Sequence, residues 1–307
     1  MSAAGRPVGL IGVPTSAGAF APGQEQAPRA LRAAGLTERL HRAGAALVDH
    51  GDRAVWRWRP DRDEPRAQNL GAVVEIVRDT ADRVAAARAA GELTLVLGGD
   101  CTVGIGSVAG HSGEGGRPGL LYFDTHADLN VPASVSEGAL DWMGMAHMLA
   151  EPGTRAELAG AGPRQPLLDP EQVLLFAWGP EQATDHEAAA ISRLGLEAFP
   201  VERVRASPEE AAAAALASLE DRCERLLVHF DVDVVDFTDT PLSENWGRNE
   251  GLAFEDALRA LAVLLRSPAL AGLTITELNP DHTEEGSDAI ARLVGALADG
   301  LGGTFAG

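Results

Sequence analysis

The sequence predicts an α/β protein: one three-layer αβα domain over residues 1–307, built around a mainly parallel sheet of about eight strands. Three observations predict it. Short apolar runs alternate with helix patterns from end to end, the order of a parallel sheet covered on both faces. Most of these runs are continuously apolar, as strands buried on both faces are. Several of them run straight into acidic residues, and in open α/β sheets the crevice beyond the carboxyl ends of the strands is where ligands bind.

The first strand is expected over 8–14 and the first helix over 27–43, followed by a strand over 45–51 and a helix over 68–90. LTLVLGG places a strand over 93–99 and GLLYFD another over 119–124, with HSGEGGRPG (111–119) read as a loop before it. SVSEGALDWMG (134–144) is a second loop, and strands follow over 173–178 and 196–200. The segment SPEEAAAAALASLEDRC begins with Ser207 before Pro208, Glu209 and Glu210, which starts a helix over 208–225. A strand over 226–232, a helix over 254–266, a strand over 270–277 and a helix over 287–300 complete the order. No fixed-period repeat and no long low-complexity linker interrupts it.

The chain has 307 residues, of which 45% are hydrophobic and 23% charged, enough to bury a sizeable core and too apolar for a mainly disordered protein. No stretch approaches the ~18 consecutive apolar residues of a membrane span, and MSAAGRPVGL lacks the charged start and long apolar core of a signal peptide. Asp and Glu number 45 against 25 Lys and Arg, and every one of those basic residues is Arg; the formal charge is -20. A chain this acidic repels phosphate backbones and anionic lipid, so neither nucleic acid nor membrane is expected as a partner. Two cysteines, Cys101 and Cys223, cannot build a disulfide scaffold, and a reducing cytoplasm is the expected location.

The informative acids sit at strand ends. LTLVLGG leads to Asp100 and Cys101, LLYF to Asp124, His126 and Asp128, LLVHF to Asp231 and Asp233, and LTIT to Glu277. Alternate residues of D-T-H-A-D and D-V-D point to one side wherever the backbone stays extended. Carboxylates converging in one crevice repel unless protonated or neutralised by cations, and aspartates with one imidazole are the hard donor set expected for Mn²⁺. A single Asp-x-Asp is usually a turn or a capped helix start. Three such motifs at successive strand ends point to metal.

At these residues the sequence resembles the arginase (ureohydrolase) family, which includes arginases, agmatinases, guanidino-acid hydrolases and formiminoglutamases. The resemblance is carried by GGDCT (98–102), DTHADLN (124–130) and DVDVVD (231–236), and extends to PVGLIGVPTSAGAFAPGQEQAPRALRAAGL near the start and ITELNP (275–280) near the end. It implies two Mn²⁺ ions at the strand ends. Asp124 and Asp231 would bridge them, Cys101 and Asp128 would complete one site, and His126 and Asp233 the other. Asp128 would also orient a bridging hydroxide. Glu277 would pair with the guanidinium or amidinium end of a small cationic substrate, a task that suits a carboxylate facing planar N–H donors. Asn130 lies where arginases hold the substrate's carboxylate, although an Asn just after a motif is often only a turn residue. Family members often form trimers or hexamers, so the resemblance allows a homo-oligomer; the tail GLGGTFAG offers no recognisable contact for one.

The chain departs from the family in several places. Cys101 replaces the usual His of the first motif, and a thiolate shifts preference toward Zn²⁺, Fe²⁺, Co²⁺ or Ni²⁺. The alternative is a buried thiol that coordinates nothing. Cys223, in a helix pattern before a strand, reads as core. The His that shuttles protons in arginases is missing from LDWMGMAHM (140–148), where Asp141 or Met143 takes its place; Asp141 or His147 could carry the proton, although a His in an apolar stretch is more often structural. The region that grips the substrate's amino group reads FAWGPEQATDHE (176–187), with Gln182 or Glu181 nearest the place of the family's Asp. Glu137 stands where arginases have a hydroxyl, and LSENWGRNEGL (242–252) replaces a Gly-Thr-Gly-Thr-Pro segment. Trp142, Trp178 and Trp246 lie in these loops, either packing the surface or walling a less polar or larger substrate. Arg248 could meet a substrate acid, or stay solvated.

These readings converge on a binuclear metal-dependent hydrolase of linear guanidines or amidines, in which a metal-bridging hydroxide attacks the guanidino or amidino carbon and releases urea, a substituted urea or a formamide-type product. Plain L-arginine is not the expected substrate; N-hydroxyarginine or another modified guanidine, whose leaving nitrogen is easier to expel, needs the lost His less. Two other readings compete. One is a catalytically degenerate binding protein, opposed by the six retained polar groups Asp124, His126, Asp128, Asp231, Asp233 and Glu277. The other is a deacetylase-like amide hydrolase, opposed by the lack of a His-His pair.

Overall fold

Strand β1 (Val8–Gly12) is wholly buried, and it starts a sheet of eight strands that all run parallel. In a computed structural model describing residues 5–113, 117–245 and 247–303, the others are β2 (Leu47–Asp52), β3 (Leu93–Leu97), β4 (Pro118–Phe123), β5 (Val173–Trp178), β6 (Glu197–Pro200), β7 (Arg225–Asp231) and β8 (Leu270–Thr276). Their order across the sheet is β2-β1-β3-β8-β7-β4-β5-β6. Every expected strand is present: β1, β3, β4 and β8 are buried along their whole length, whereas β2 and β6, at the two edges of the sheet, are largely exposed or half-buried.

Among the described residues, eleven α-helices cover the sheet: α1 (Ala27–Ala33), α2 (Leu36–Arg42), α3 (Leu70–Ala89), α4 (Val103–His111), α5 (Gly144–Met148), α6 (Ala156–Ala159), α7 (Asp185–Leu194), α8 (Val201–Ala206), α9 (Pro208–Glu220), α10 (Phe254–Leu264) and α11 (Ala289–Gly303). Helices α1, α2 and α8–α11 pack with Leu121, Phe123, Val228 and Phe230 on one face. Helices α3–α7 pack with Leu120, Tyr122 and Leu227 on the other, which completes the three layers. No helix among the described residues is long and apolar enough to cross a membrane.

The expected helix over 27–43 divides in two at Gly35, which takes φ +87 between α1 and α2. Helix α4 was not anticipated: glycines 104, 106 and 110 lower its propensity, and burial of its whole length against the core overrides them. Helix α7 begins inside a segment read as a substrate loop, where Thr184 caps it and Glu187 closes a capping box. The loop over 134–144 holds one helical turn at Asp141–Met143. Residues 114–116 of the other expected loop lie outside the described residues.

Register brings four strand ends to one level. Leu97 pairs Ile275, Ile275 pairs Phe230, and Phe230 pairs Phe123, although these residues are scattered over the sequence. The next residues up the sheet are Gly98, Thr276, Asp231 and Asp124. One level down, Tyr122 pairs His229.

Candidate active site

The chain leaves β3 through Gly98 and Gly99 because no side chain fits there. A Cβ on Gly99 would fall 1.7 Å from the Thr15 carbonyl oxygen. The close approach lets the Asp100 amide donate to Thr15 O and delivers Cys101 to the ends of β8 and β7. Asp100 itself faces away from this chemistry: it accepts the amides of Gly18 and Thr102 and ties the loop after β1 to the loop after β3. Asp128 (φ 49) and Glu277 (φ 61) hold left-handed backbone, uncommon for residues with a side chain and concentrated at functional sites.

Two groups of donors meet at the strand ends. One donor atom each from Cys101, Asp124, His229 and Asp231 lies within 4.8 Å of the others, and all four residues are buried. Asp124, His126 and Asp233 form a second such group, nearer the solvent, and share Asp124 with the first. The His126 Nδ1 lies 3.2 Å from Asp124 and 3.1 Å from Asp233, while its Nε2 faces Gln182 and Asn245 at 3.0 and 3.1 Å. Cys101 Sγ contacts an Asp231 carboxylate oxygen and lies 3.5 Å from His229 Nε2. Asp128 belongs to neither group; its carboxylate accepts the Tyr122 hydroxyl. Glu277 accepts the Cys101 amide at 2.8 Å and the Gln24 side-chain amide at 3.1 Å.

Burial and crowding set the protonation of these groups. Burial, then Asp233, lifts Asp124 to about 7. Burial and neighbouring carboxylates likewise hold Asp128, Asp231 and Glu277 well above the usual range. Burial and those acids also push the Cys101 thiol up. His126 is raised, because Asp233 and Asp124 outweigh its desolvation. Asp124 Oδ2 and Asp233 Oδ1 are buried with no hydrogen-bond partner. Unpartnered carboxylate oxygens inside a protein are costly, and carboxylate, imidazole and thiol converging there make a donor set that fits divalent cations.

These groups line a cavity of about 440 Å³. Asp141, Trp142 and Asn130 line it too. Asp141 is buried, and burial together with Asp100 and Asp128 raises it well above an ordinary carboxyl. Asn130 accepts hydroxyls from Ser134 and Thr184 at 3.0 and 2.9 Å. Trp142 stands beside Phe20, the ring centroids 6.0 Å apart. Gln182, Thr184, Glu187, Glu244 and Asn245 also line it. The described lining contains several carboxylates and no arginine, so the cavity is built for a cation.

Other expected residues are not brought here. His147 is corrected to a structural residue: Nδ1 bonds Met143 O at 2.7 Å and Nε2 accepts the Arg155 amide at 3.1 Å, so neither nitrogen can carry a proton to the cavity. Burial holds it neutral, lowered to about 4. Glu181 is exposed and outside the lining, and its neighbour Gln182 takes the wall position. Trp178 ends β5, half-buried outside the cavity lining. Glu137 and Arg248 are exposed away from it. Trp246 lies outside the described residues. Cys223 is buried under Gly119, as a core cysteine.

Sequence reasoning missed His229 and Tyr122, although a signal existed. In LLVHFD the His stands two residues before Asp231, and alternate residues of a strand share a face. Gln24 was also missed, since nothing local ties it to an acid 253 residues away.

A family model described as the Arginase family matches residues 6–298. Human arginase-1 is 29% identical over 283 residues, covering 91% of this chain and 87% of the relative. Arginase from Bacillus caldovelox is 27% identical over 297 residues, covering 95% of this chain and 98% of that one. The solved structure of the Bacillus caldovelox arginase superimposes with a TM-score of 0.84 at 25% identity, over 98% of this chain and 99% of that chain.

Proposed function

The chain belongs to the arginase family, and from that membership we propose that it is a metal-dependent cytoplasmic hydrolase acting on the C–N bond of a linear guanidine or amidine. The observation that carries the reading is Glu277: a carboxylate on the wall of a cavity whose described lining holds no arginine, held by the Cys101 amide and Gln24, beside two groups of metal donors. A planar cation with N–H donors is the partner that such a carboxylate suits.

Asp124 and Asp231 would serve two ions, with Cys101 on the buried side and His126 and Asp233 on the outer side. Divalent cations bound there supply Lewis acidity, which makes water a nucleophile near neutral pH and offsets negative charge as it develops. Asp128, steadied by the Tyr122 hydroxyl, is placed to accept a proton from the attacking water and orient it. Glu277 holds the substrate so that its central carbon faces that water. As the C–N bond breaks, the leaving nitrogen needs a proton, and Asp141 is the acid on the wall that retains one. The products are an amine and a urea, a substituted urea or a formamide-type compound.

The substrate we propose is a modified guanidine such as an N-hydroxyguanidine rather than plain L-arginine. The His that shuttles protons in arginases is missing from 140–148, and Asp141 lines the cavity instead. An easier leaving nitrogen asks less of the remaining acid. The test is a screen of guanidines, N-hydroxyguanidines and amidines with metal-loaded protein, following urea-type products and released amine. Turnover of a modified guanidine faster than of L-arginine supports the reading. Full metal loading with no turnover of any of them sinks it in favour of a binding protein.

A further inference from the structure

The family resemblance implies Cys101, Asp124, Asp128 and Asp231 for the buried ion, yet the donors that meet here include His229 and leave out Asp128. Three observations favour the exchange. First, His229 Nε2 is 3.5 Å from Cys101 Sγ. Two ligands of one tetrahedral Zn²⁺, with Zn–S of about 2.3 Å and Zn–N of about 2.0–2.1 Å, stand about 3.6 Å apart. Second, the His229 ring is held in that pose. It stacks on Tyr122 with centroids 4.3 Å apart, and Gly104 leaves the room it occupies; the 3.0 Å contact of Thr276 Oγ1 is to the same Nε2, and an ion bound there would replace it. A Cβ at Gly104 would come within 2.7 Å of Nδ1. Third, Tyr122 also donates its hydroxyl to Asp128 and engages that carboxylate. One tyrosine thus buttresses the imidazole and holds the aspartate.

We propose that the buried ion is held by Cys101, His229, Asp124 and Asp231, a thiolate–imidazole site that takes Zn²⁺ in preference to Mn²⁺, with Asp128 released to act on water. The imidazole missing from the first motif is supplied from β7 instead. Thiolate and imidazole together favour Zn²⁺, whereas all-oxygen sites suit Mn²⁺. This deepens the two-ion reading given above and rests on it for the identity of the outer site.

The test uses full-length protein stripped with chelator and reloaded with Zn²⁺ or Mn²⁺, read by elemental mass spectrometry and by X-ray absorption at the zinc edge. Zn²⁺-loaded wild type is expected to show sulfur and imidazole scattering from the buried ion in addition to the His126 imidazole. His229→Gln is expected to weaken one ion by at least about tenfold, while Asp128→Asn keeps both ions. The reverse pattern, in which Asp128→Asn loses an ion and His229→Gln does not, overturns the proposal. Should His229→Gln not fold, the wild-type spectrum decides, and imidazole scattering accounted for by His126 alone overturns it equally. One ion per chain, lost in His229→Gln, upholds the proposed site while defeating the two-ion reading. No bound ion defeats both.

Discussion

Glu277 accepts the backbone amide of Cys101 at 2.8 Å, so the acid expected to grip the substrate and the thiol expected to grip metal are fixed to each other across 176 residues of sequence. Because the bond uses the amide, it survives any change of the Cys101 side chain. The metal and the substrate cation can therefore be perturbed separately.

Glu277→Gln keeps an acceptor for that amide and removes the charge. Losing one member of a buried charge pair costs about 2–5 kcal/mol, so kcat/KM is expected to fall by about 30-fold or more. Metal content, measured by elemental mass spectrometry, stays at the wild-type level. A fall in both would move Glu277 from substrate to metal.

Cys101→Ala is expected to lose one ion per chain, and Cys101→His to regain it with preference moved toward Mn²⁺, since imidazole replaces the soft donor. Equilibrium dialysis against Mn²⁺ and Zn²⁺ in parallel measures this. Unchanged metal content in Cys101→Ala would make the thiol a bystander.

Asp141→Asn removes the acid placed to protonate the leaving nitrogen, and kcat is expected to drop by about 10²-fold or more with metal content intact. His147→Asn is expected to keep kcat and lose about 1–3 kcal/mol of stability, because the Met143 and Arg155 backbone bonds are disturbed. Steady-state kinetics beside denaturant unfolding separates the two. A larger kcat loss in His147→Asn would return the proton carrier to that histidine.

In metal-free protein, burial and repulsion raise Asp124 from 3.8 to about 7, and Asp231 and Glu277 rise with it. Folded chain then holds more protons than unfolded chain across that window, so the contribution of these acids to stability falls as pH rises from about 4 through about 7. Metal needs the ionised forms and reverses the penalty. The gap in Tm between metal-loaded and chelated protein should widen over that range. His147 titrates with the opposite sign, its depressed value costing stability as pH falls from 6.5 toward about 4, and it drops out of the difference between the two forms. A gap that stays constant would show that these carboxylates do not hold the metal.

The strand pattern and the acids at the strand ends were legible in the sequence because both are local. A continuous apolar run is a buried strand wherever it pairs, and an acid that follows one arrives at the rim of the sheet. That reasoning located Asp124, Asp128, Asp231, Asp233 and Glu277 together with Cys101 and His126. The burial of α4 was not legible, since its glycines read as loop until a partner surface is present. Nor was the choice between neighbours such as Glu181 and Gln182, because one lines the cavity and the other faces solvent only after α7 has docked.

The sequence by itself determined which chemistry the strand ends carry, because side-chain type and strand termination are written in short segments. Only the tertiary structure decided which donors face one another. His229 meets Cys101 because β7 and β8 align in register and Gly104 leaves space above the ring, Asp128 turns to Tyr122 because β4 places that hydroxyl beneath it, and His147 is spent on backbone partners that only the folded loop supplies. Each of these is a meeting between segments far apart in sequence, and direction in space, unlike residue type, is set only when they pack.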